Sequence, residues 1–435
     1  MKQKMLRVLG LVLTTSILLG LTGCGNTNAS EAQPNTASSD TTASVNEASE
    51  ESVISGKVTM LTMGIEYEEV MKALQEDLPG VELVWEQQGG STFMDTYKTR
   101  LSAGAEGLDI FTPARADYPV LAEAGQLLDI TGKDYLDNYT DGVIDSAMVD
   151  GKVYGVPVTA NCYIMWYNND VFKKYNIAEP TTFEELEVAC AVLKENGVVP
   201  LVAYPKTGAQ QIAAIFYHDL LCKDSQWLEK LKTGEVKWTD EDSVKALEKL
   251  KEWVDADYIL DGSLSLDDTQ AYQAFYQGQA AMLHNGTWSI DKIAETEPDF
   301  EVGVFPFLAA EGTTNRAQYC PGSIWAVASE SGNTEAAEAV VEWISQPENA
   351  QMYCNAAKQF GTVKGVTFDF HPVAEQIVPL YEMDKTEMMH AYLTPNAKNE
   401  LAAQVQKLMA KDELNITAAD AAQAIQAAQD ADNAE

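Results

Sequence analysis

Between residues 58 and 111, short strand-like runs alternate with amphipathic helical patterns, and no other feature of the chain restricts its fold as much. Val58-Thr-Met-Leu-Thr-Met63 is an apolar run with strand character; behind it Val70, Met71, Leu74 and Leu78 share one helical face, which Pro79-Gly80 ends. Residues 81–85 repeat the strand pattern, Phe93, Tyr97 and Leu101 recur at i, i+4 and i+8, and Leu108-Asp-Ile-Phe111 supplies a third strand. Parallel neighbours need a crossover, and helices provide it, so this order implies α/β architecture with a mainly parallel sheet covered on both faces.

The stretch 150–172 divides the chain. It opens on an Asp150-Gly151 turn signal, runs through aromatic and β-branched residues, and ends at the helix-start signal Asn169-Asp170. A crossing between two lobes fits it, and 435 residues at 46% hydrophobic content suffice for two cores. Beyond it, Thr182-Phe-Glu-Glu185 has the form of a capping box. Helical patterns follow at 209–221, 242–256, 335–345, 347–358, 372–382, 397–410 and 417–430, and strand-like runs at 198–203, 280–283 and 301–305. Residues 319–328 resemble a second crossing.

The N-terminus carries an address. Lys2, Lys4 and Arg7 precede an apolar run over 8–21, the pattern of an export signal. It ends Leu21-Thr22-Gly23-Cys24, similar to the bacterial lipobox, in which cleavage before the cysteine follows lipid transfer to its sulfur. Residues 1–23 read as a lipoprotein signal peptide and 24–55 as a lipidated cysteine with a polar tether too poor in apolar residues to fold. Two acyl chains on Cys24 meet the requirement for lasting anchorage, which places the protein at the extracellular face of the cell membrane. Acidic residues outnumber basic ones 66 to 29, for a net charge of −37, so nucleic acid is not an expected partner.

Four features converge on one family. The lipobox with its tether, Leu108-Asp-Ile-Phe111, the block 150–168 and Ala280-Ala-Met-Leu-His-Asn-Gly-Thr-Trp288 resemble the extracellular solute-binding proteins of ABC importers, in the carbohydrate-binding group related to maltose-binding protein. The resemblance runs over about 58–427. It implies a periplasmic-binding-protein-like fold of two lobes joined by hinge crossings, here 56–160 plus 321–366 and 161–320 plus 367–435. The crossings would lie near 157–162 and 317–322, with a third around 365–372. It also implies a sugar held in the cleft by a monomer without cofactor or metal, and delivered to a membrane permease.

A sugar offers hydroxyl edges and apolar C–H faces, so its site needs flat aromatic surface with a few fixed polar groups. By the resemblance, Trp288 is the stacking platform, held by a tight Asn285-Gly286 turn. Gly286 then serves close approach or a positive φ. Asn161 at the hinge and Asp117 after the third strand are the hydroxyl-binding groups; Asp117 is equally placed to N-cap a helix over 118–124. Glu66 and Tyr67, after the first strand, and Trp325, after the second crossing, complete the candidates, while Trp166 reads as buried. Residues 394–400 carry no aromatic and the loop 112–116 no Trp, which points away from a long linear maltooligosaccharide and toward a smaller sugar.

Other functions fit less well. His218, His284, His371 and His390 are scattered without metal-ligand spacing, and no Gly-x-Ser-x-Gly element or phosphate-cradling glycine loop occurs. The alternatives are a binding protein for a polyamine or organic acid and a surface carbohydrate-active enzyme, the latter needing two carboxylates facing a scissile bond. After Cys24, five cysteines remain with no C-x-x-C pair; Cys162 and Cys320, each at a crossing, are expected as independent thiols, with a hinge bridge the alternative.

Overall fold

The computed structural model describes residues 54–434 except 141, 297 and 412–415. The signal peptide, Cys24 and nearly all of the tether therefore lie outside the described residues.

The chain opens with β1 (Gly56–Thr62), β2 (Val81–Gln87) and β3 (Ile110–Phe111), each pair separated by a helix. β1 pairs in parallel with β2 and β3, as the alternation requires. A hairpin, β4 (Met148–Val149) and β5 (Lys152–Val153), follows; Asp150 and Gly151 both take positive φ at its tip, the geometry that an Asp-Gly pair supplies. Then come β6 (Val156–Pro157) and the long β7 (Thr159–Asn168).

β7 is the spine of a second sheet. Its partners are β9 (Met282–Gly286), β10 (Val302–Pro306), β11 (Ala317–Pro321) and β13 (Phe360–Gly361), all antiparallel, while β8 (Leu201–Val202) joins β9 and β14 (Lys385–Glu387) joins β11 in parallel. Between these, β12 (Ile324–Val327) returns to the first sheet and pairs with β3 and β6. The sheet orders are β2-β1-β3-β12-β6 and β14-β11-β7-β9-β8.

Two sheets thus build two lobes, and the two-lobed α/β class stands. Both sheets are mixed rather than mainly parallel, because strands that cross between lobes enter against the direction of their neighbours. The third passage falls within 365–372: after β13 pairs with Ala160 and Thr159, Val363 bridges back to Tyr139 and Val366 still packs on the first-lobe core, whereas Phe368 and Phe370 pack on the second.

Each lobe has its own core. The first packs Val58, Met60, Val70, Leu74, Trp325 and Val340 together; the second packs Tyr163, Met165, Leu247, Leu250, Leu401 and Ile425. The helix Phe183–Glu195 is capped as expected, with Thr182 accepting from the Glu185 amide at 3.2 Å. The Glu185 carboxylate accepts chiefly from Thr181, from its amide and its hydroxyl, each at 2.8 Å.

Candidate functional site

Successive side chains on a strand point to opposite faces, and this decides what the hinge presents. Tyr163, Met165 and Tyr167 of β7 lie in the large second-lobe core, and Asn161 shares their parity; Ala160 and Cys162 belong to a separate small cluster on the other face. Gly286 lies opposite Tyr163 in the ladder and so faces the same side.

That glycine is bare for a reason. A Cβ on Gly286 would fall 2.0 Å from Cζ3 of Trp288, so the indole rests directly on its backbone. Gly286 has φ −118°, ordinary for a strand, and Asn285 and Gly286 end β9 rather than forming a tight turn. Close approach, not a left-handed conformation, is what requires glycine here.

The turn belongs to the next residues. Thr287–Ser289 form a short 3₁₀ segment, with Ser289 Oγ donating to the Gly286 carbonyl at 2.6 Å and accepting from Trp166 Nε1 at 2.8 Å. Trp166 is therefore a buried prop beneath the turn that carries Trp288. Thr287 Oγ1 accepts from the Cys162 amide at 3.1 Å, which ties the turn to the first crossing, and Gln359 Nε2 donates to the Trp288 carbonyl at 3.2 Å. The indole meets Tyr163 edge-on at 5.9 Å and His390 at 6.4 Å, and stays partly exposed. Tyr163 in turn hydrogen-bonds Nδ1 of His390. Burial, and then the nearby Lys398 charge, push the His390 imidazole down to about 3, so it is neutral beside the platform.

Asn161 offers the polar counterpart. Its Oδ1 is buried and has no hydrogen-bond partner among the described residues, an arrangement that calls for an explanation. Gly322 closes over it: a Cβ there would lie 2.9 Å from Asn161 Nδ2 and 2.1 Å from Thr159 Oγ1.

The first lobe contributes differently from expectation. Asp117 precedes the helix Tyr118–Glu123 but makes no cap; Tyr97 Oη and Lys98 Nζ occupy its carboxylate, the latter at 2.8 Å. It reaches the cleft as a held charge, close enough to Lys398 of the second lobe to favour that lysine's charged form against burial. Trp325 is only 1% exposed, wedged edge-on between Trp85 and Tyr353 at 5.9 and 5.7 Å, and is first-lobe core instead of a ligand contact. Tyr67 packs edge-on against Tyr353 at 5.8 Å and feels the charges of Asp291, Lys292 and Glu295 on the helix that follows Trp288. Glu66 is exposed beside it. The structure thus brings Trp288, Gly286 and Asn161 to one face, sets Tyr67 and Glu66 near the helix after the platform, and removes Trp325.

Four participants carried no usable sequence signal: Tyr163, His390, Lys398 and Arg115. Arg115, in the loop 112–117, crosses to the second lobe with its guanidinium 5.2 Å from the Tyr392 ring and 5.8 Å from that of Tyr118; its buried Nη1 lacks a partner. Cys162 and Cys320 are free and buried. In the ladder Cys320 faces Asn161 and Tyr319 faces Cys162, so the two thiols point to opposite sides and no bridge forms. Among the described residues no cluster of His, Cys, Asp and Glu could hold a metal ion, and no helix is long and apolar enough to cross a membrane.

Two α/β lobes joined by three strand passages, with an aromatic platform and an unsatisfied amide where they meet, define a two-lobed binding protein of the kind that holds its ligand between lobes. The chain belongs to the bacterial extracellular solute-binding proteins, whose family profile matches residues 62–351. It is 25% identical over 306 residues to a multiple sugar-binding protein of Streptococcus mutans, covering 66% of this chain and 70% of that one. It is 26% identical over 249 residues to the maltodextrin-binding protein MdxE of Bacillus subtilis, covering 54% and 55%. Among solved structures, a chitin oligosaccharide binding protein superimposes with a TM-score of 0.75 at 23% identity, over 88% of this chain and all of that one.

Proposed function

We propose that this protein captures a mono- or short oligosaccharide outside the cell by closing its lobes and passes it to the permease of an ABC transporter. It acts as a monomer and without chemistry of its own, anchored through lipid on Cys24. The lobes comprise 56–160 plus 321–366 and 161–320 plus 367–435. The observation that carries the ligand class is the Trp288 indole seated on Gly286, part of its surface open, on the same face as the unpartnered Asn161 carbonyl. A flat apolar face with a hydrogen-bond acceptor near it suits a pyranose, which presents C–H groups to one and a hydroxyl to the other. The relatives, a multiple sugar-binding protein and a maltodextrin-binding protein, support the same class.

Closure would follow from the geometry of contact. A ligand touching Trp288 on one lobe and Arg115, Asp117 or Tyr67 on the other favours the closed form, because only that form supplies both sets of contacts. Calorimetric titration of the protein with a panel of mono- and oligosaccharides tests the reading. Saturable binding of a sugar, weakened about thirtyfold in Trp288→Ala, is expected; binding of amines or organic acids alone would replace the ligand class.

A further inference from the structure

Behind the hinge, on the side away from Asn161, lies a cavity of about 310 Å³. Its wall draws on three parts of the chain: Thr140 and Val143 from the first lobe, Ala160, Thr362 and Val363 from the crossings, and Val378, Tyr381 and Lys385 from the second lobe. Strand parity separates it from the sugar cleft. Ala160 and Asn161 are neighbours on β7, so one side chain faces each space.

The cavity has the chemistry of a binding site rather than of a packing gap. Tyr319, 7% exposed, lines it, and its buried hydroxyl has no hydrogen-bond partner. The Ser146 side chain approaches that hydroxyl as a hydrogen-bonding group without reaching bonding geometry, and gives its own hydrogen to the Val143 carbonyl at 2.5 Å. By contrast, the Tyr381 hydroxyl is fully used, donating to the Ala160 carbonyl at 2.9 Å and meeting Thr287 Oγ1 at 2.7 Å. Lys385 holds its ammonium 5.5 Å from the Tyr319 ring centroid, and among the described residues no carboxylate lies within ion-pair distance of it. Glu382 also borders the space, from an exposed position. Val143, Val363, Val366, Phe368 and Val378 supply an apolar floor.

We propose that this back-of-hinge cavity binds a small amphipathic carboxylate, with its apolar body against the valines and Phe368 and its carboxylate accepting from Tyr319 Oη and Lys385 Nζ. An unused buried donor and an unpaired cation at the rim call for an acceptor with negative charge, and a volume of this size falls at the small end of ligand sites. Since both lobes line the cavity, its occupancy and the opening of the front cleft are linked, and each must affect the other equally in free energy.

Sodium benzoate is the probe, with benzyl alcohol as its uncharged match, titrated into the intact chain and followed by saturation-transfer NMR. Benzoate is expected to bind saturably and more tightly than benzyl alcohol, with affinity falling about tenfold in Lys385→Met and in Tyr319→Phe, the loss of one charge-assisted bond. Lys385 is exposed, so its replacement leaves the fold intact. Trp288→Ala should leave benzoate binding unchanged even if the sugar reading fails. Benzoate should also alter the radius of gyration in solution scattering for the wild type at concentrations that leave Lys385→Met unchanged. No saturable benzoate binding, equal binding by Lys385→Met, or binding that disappears in Trp288→Ala would each overturn the site; an unchanged radius of gyration at saturation would overturn the linkage.

Discussion

Replacing Trp288 by alanine removes a surface whose geometry permits a magnitude. An indole covers ~150–250 Å² when fully enclosed. Here Tyr163, His390 and the Gly286 backbone already occupy much of it, and the remainder faces out. A sugar laid on the open part would hide about 60–70 Å² of indole and a similar apolar area of its own, worth ~3 kcal/mol at 25 cal/mol per Å². Ordering the ligand takes back part of this, leaving ~2 kcal/mol, or a ~30-fold weaker dissociation constant. The same substitution removes packing from the edge of the second-lobe core and should lower folding stability by about 1–2 kcal/mol. The two effects separate by experiment: calorimetric titration with the best sugar of the panel gives the first, urea unfolding the second. An affinity within about threefold of wild type, in a variant shown to be folded, would refute the platform, since that is below 1 kcal/mol.

The other predictions use neighbouring groups. Gly286→Ala adds one methyl where only 2.0 Å is free, and its φ of −118° suits alanine, so any loss is steric: the indole must shift, and sugar affinity should fall about tenfold while the core stays folded. Asn161→Ala should weaken sugar binding by about 1–3 kcal/mol yet leave the stability of the unliganded protein equal or higher, because the deleted carbonyl has no partner; a destabilised variant with normal affinity would make Asn161 structural. His284 is buried with both ring nitrogens unpartnered, stacked on Tyr204 at 4.6 Å, and burial pushes it down to about 3. Below about pH 6.5 the unfolded chain takes up a proton that the folded protein refuses, so stability falls with pH by ~1.4 kcal/mol per unit until about 3. His284→Phe keeps a stacked ring and lacks that proton, so its stability relative to wild type should rise by up to about 2 kcal/mol between pH 7 and pH 5. An identical difference at both pH values would remove His284 from the acid response.

What the sequence disclosed follows the range of the forces involved. Strand and helix periodicity, the Asp150-Gly151 hairpin and the Thr182 cap are local, and each appears at its expected place. Trp288 and Gly286 are legible as a pair, although the reason for the glycine, an indole lying on it, belongs to the tertiary structure. Asp117 illustrates the opposite case. Its carboxylate is claimed by Tyr97 and Lys98, about twenty residues earlier, and nothing near position 117 announces them. Trp325 sits on a strand buried on both faces, where alternation gives no hint of which side is wet. His390 reaches the Trp288 indole, and Lys398 the His390 imidazole, through the order of the second sheet and its helices, and Arg115 reaches Tyr392 across the gap between lobes, so no window of sequence contains their partners.

On the proposed reading a carbohydrate is held between the lobes against Trp288, and its arrival draws them together. Small-angle scattering of the wild type and of Trp288→Ala, each with the sugar that the titration panel selects, tests it most directly. A smaller radius of gyration for the wild type with sugar, with the same contraction in the variant only at about thirtyfold higher sugar, is the predicted result. Contraction driven by a polyamine or organic acid in a Trp288-dependent manner, with none for any sugar, would contradict it.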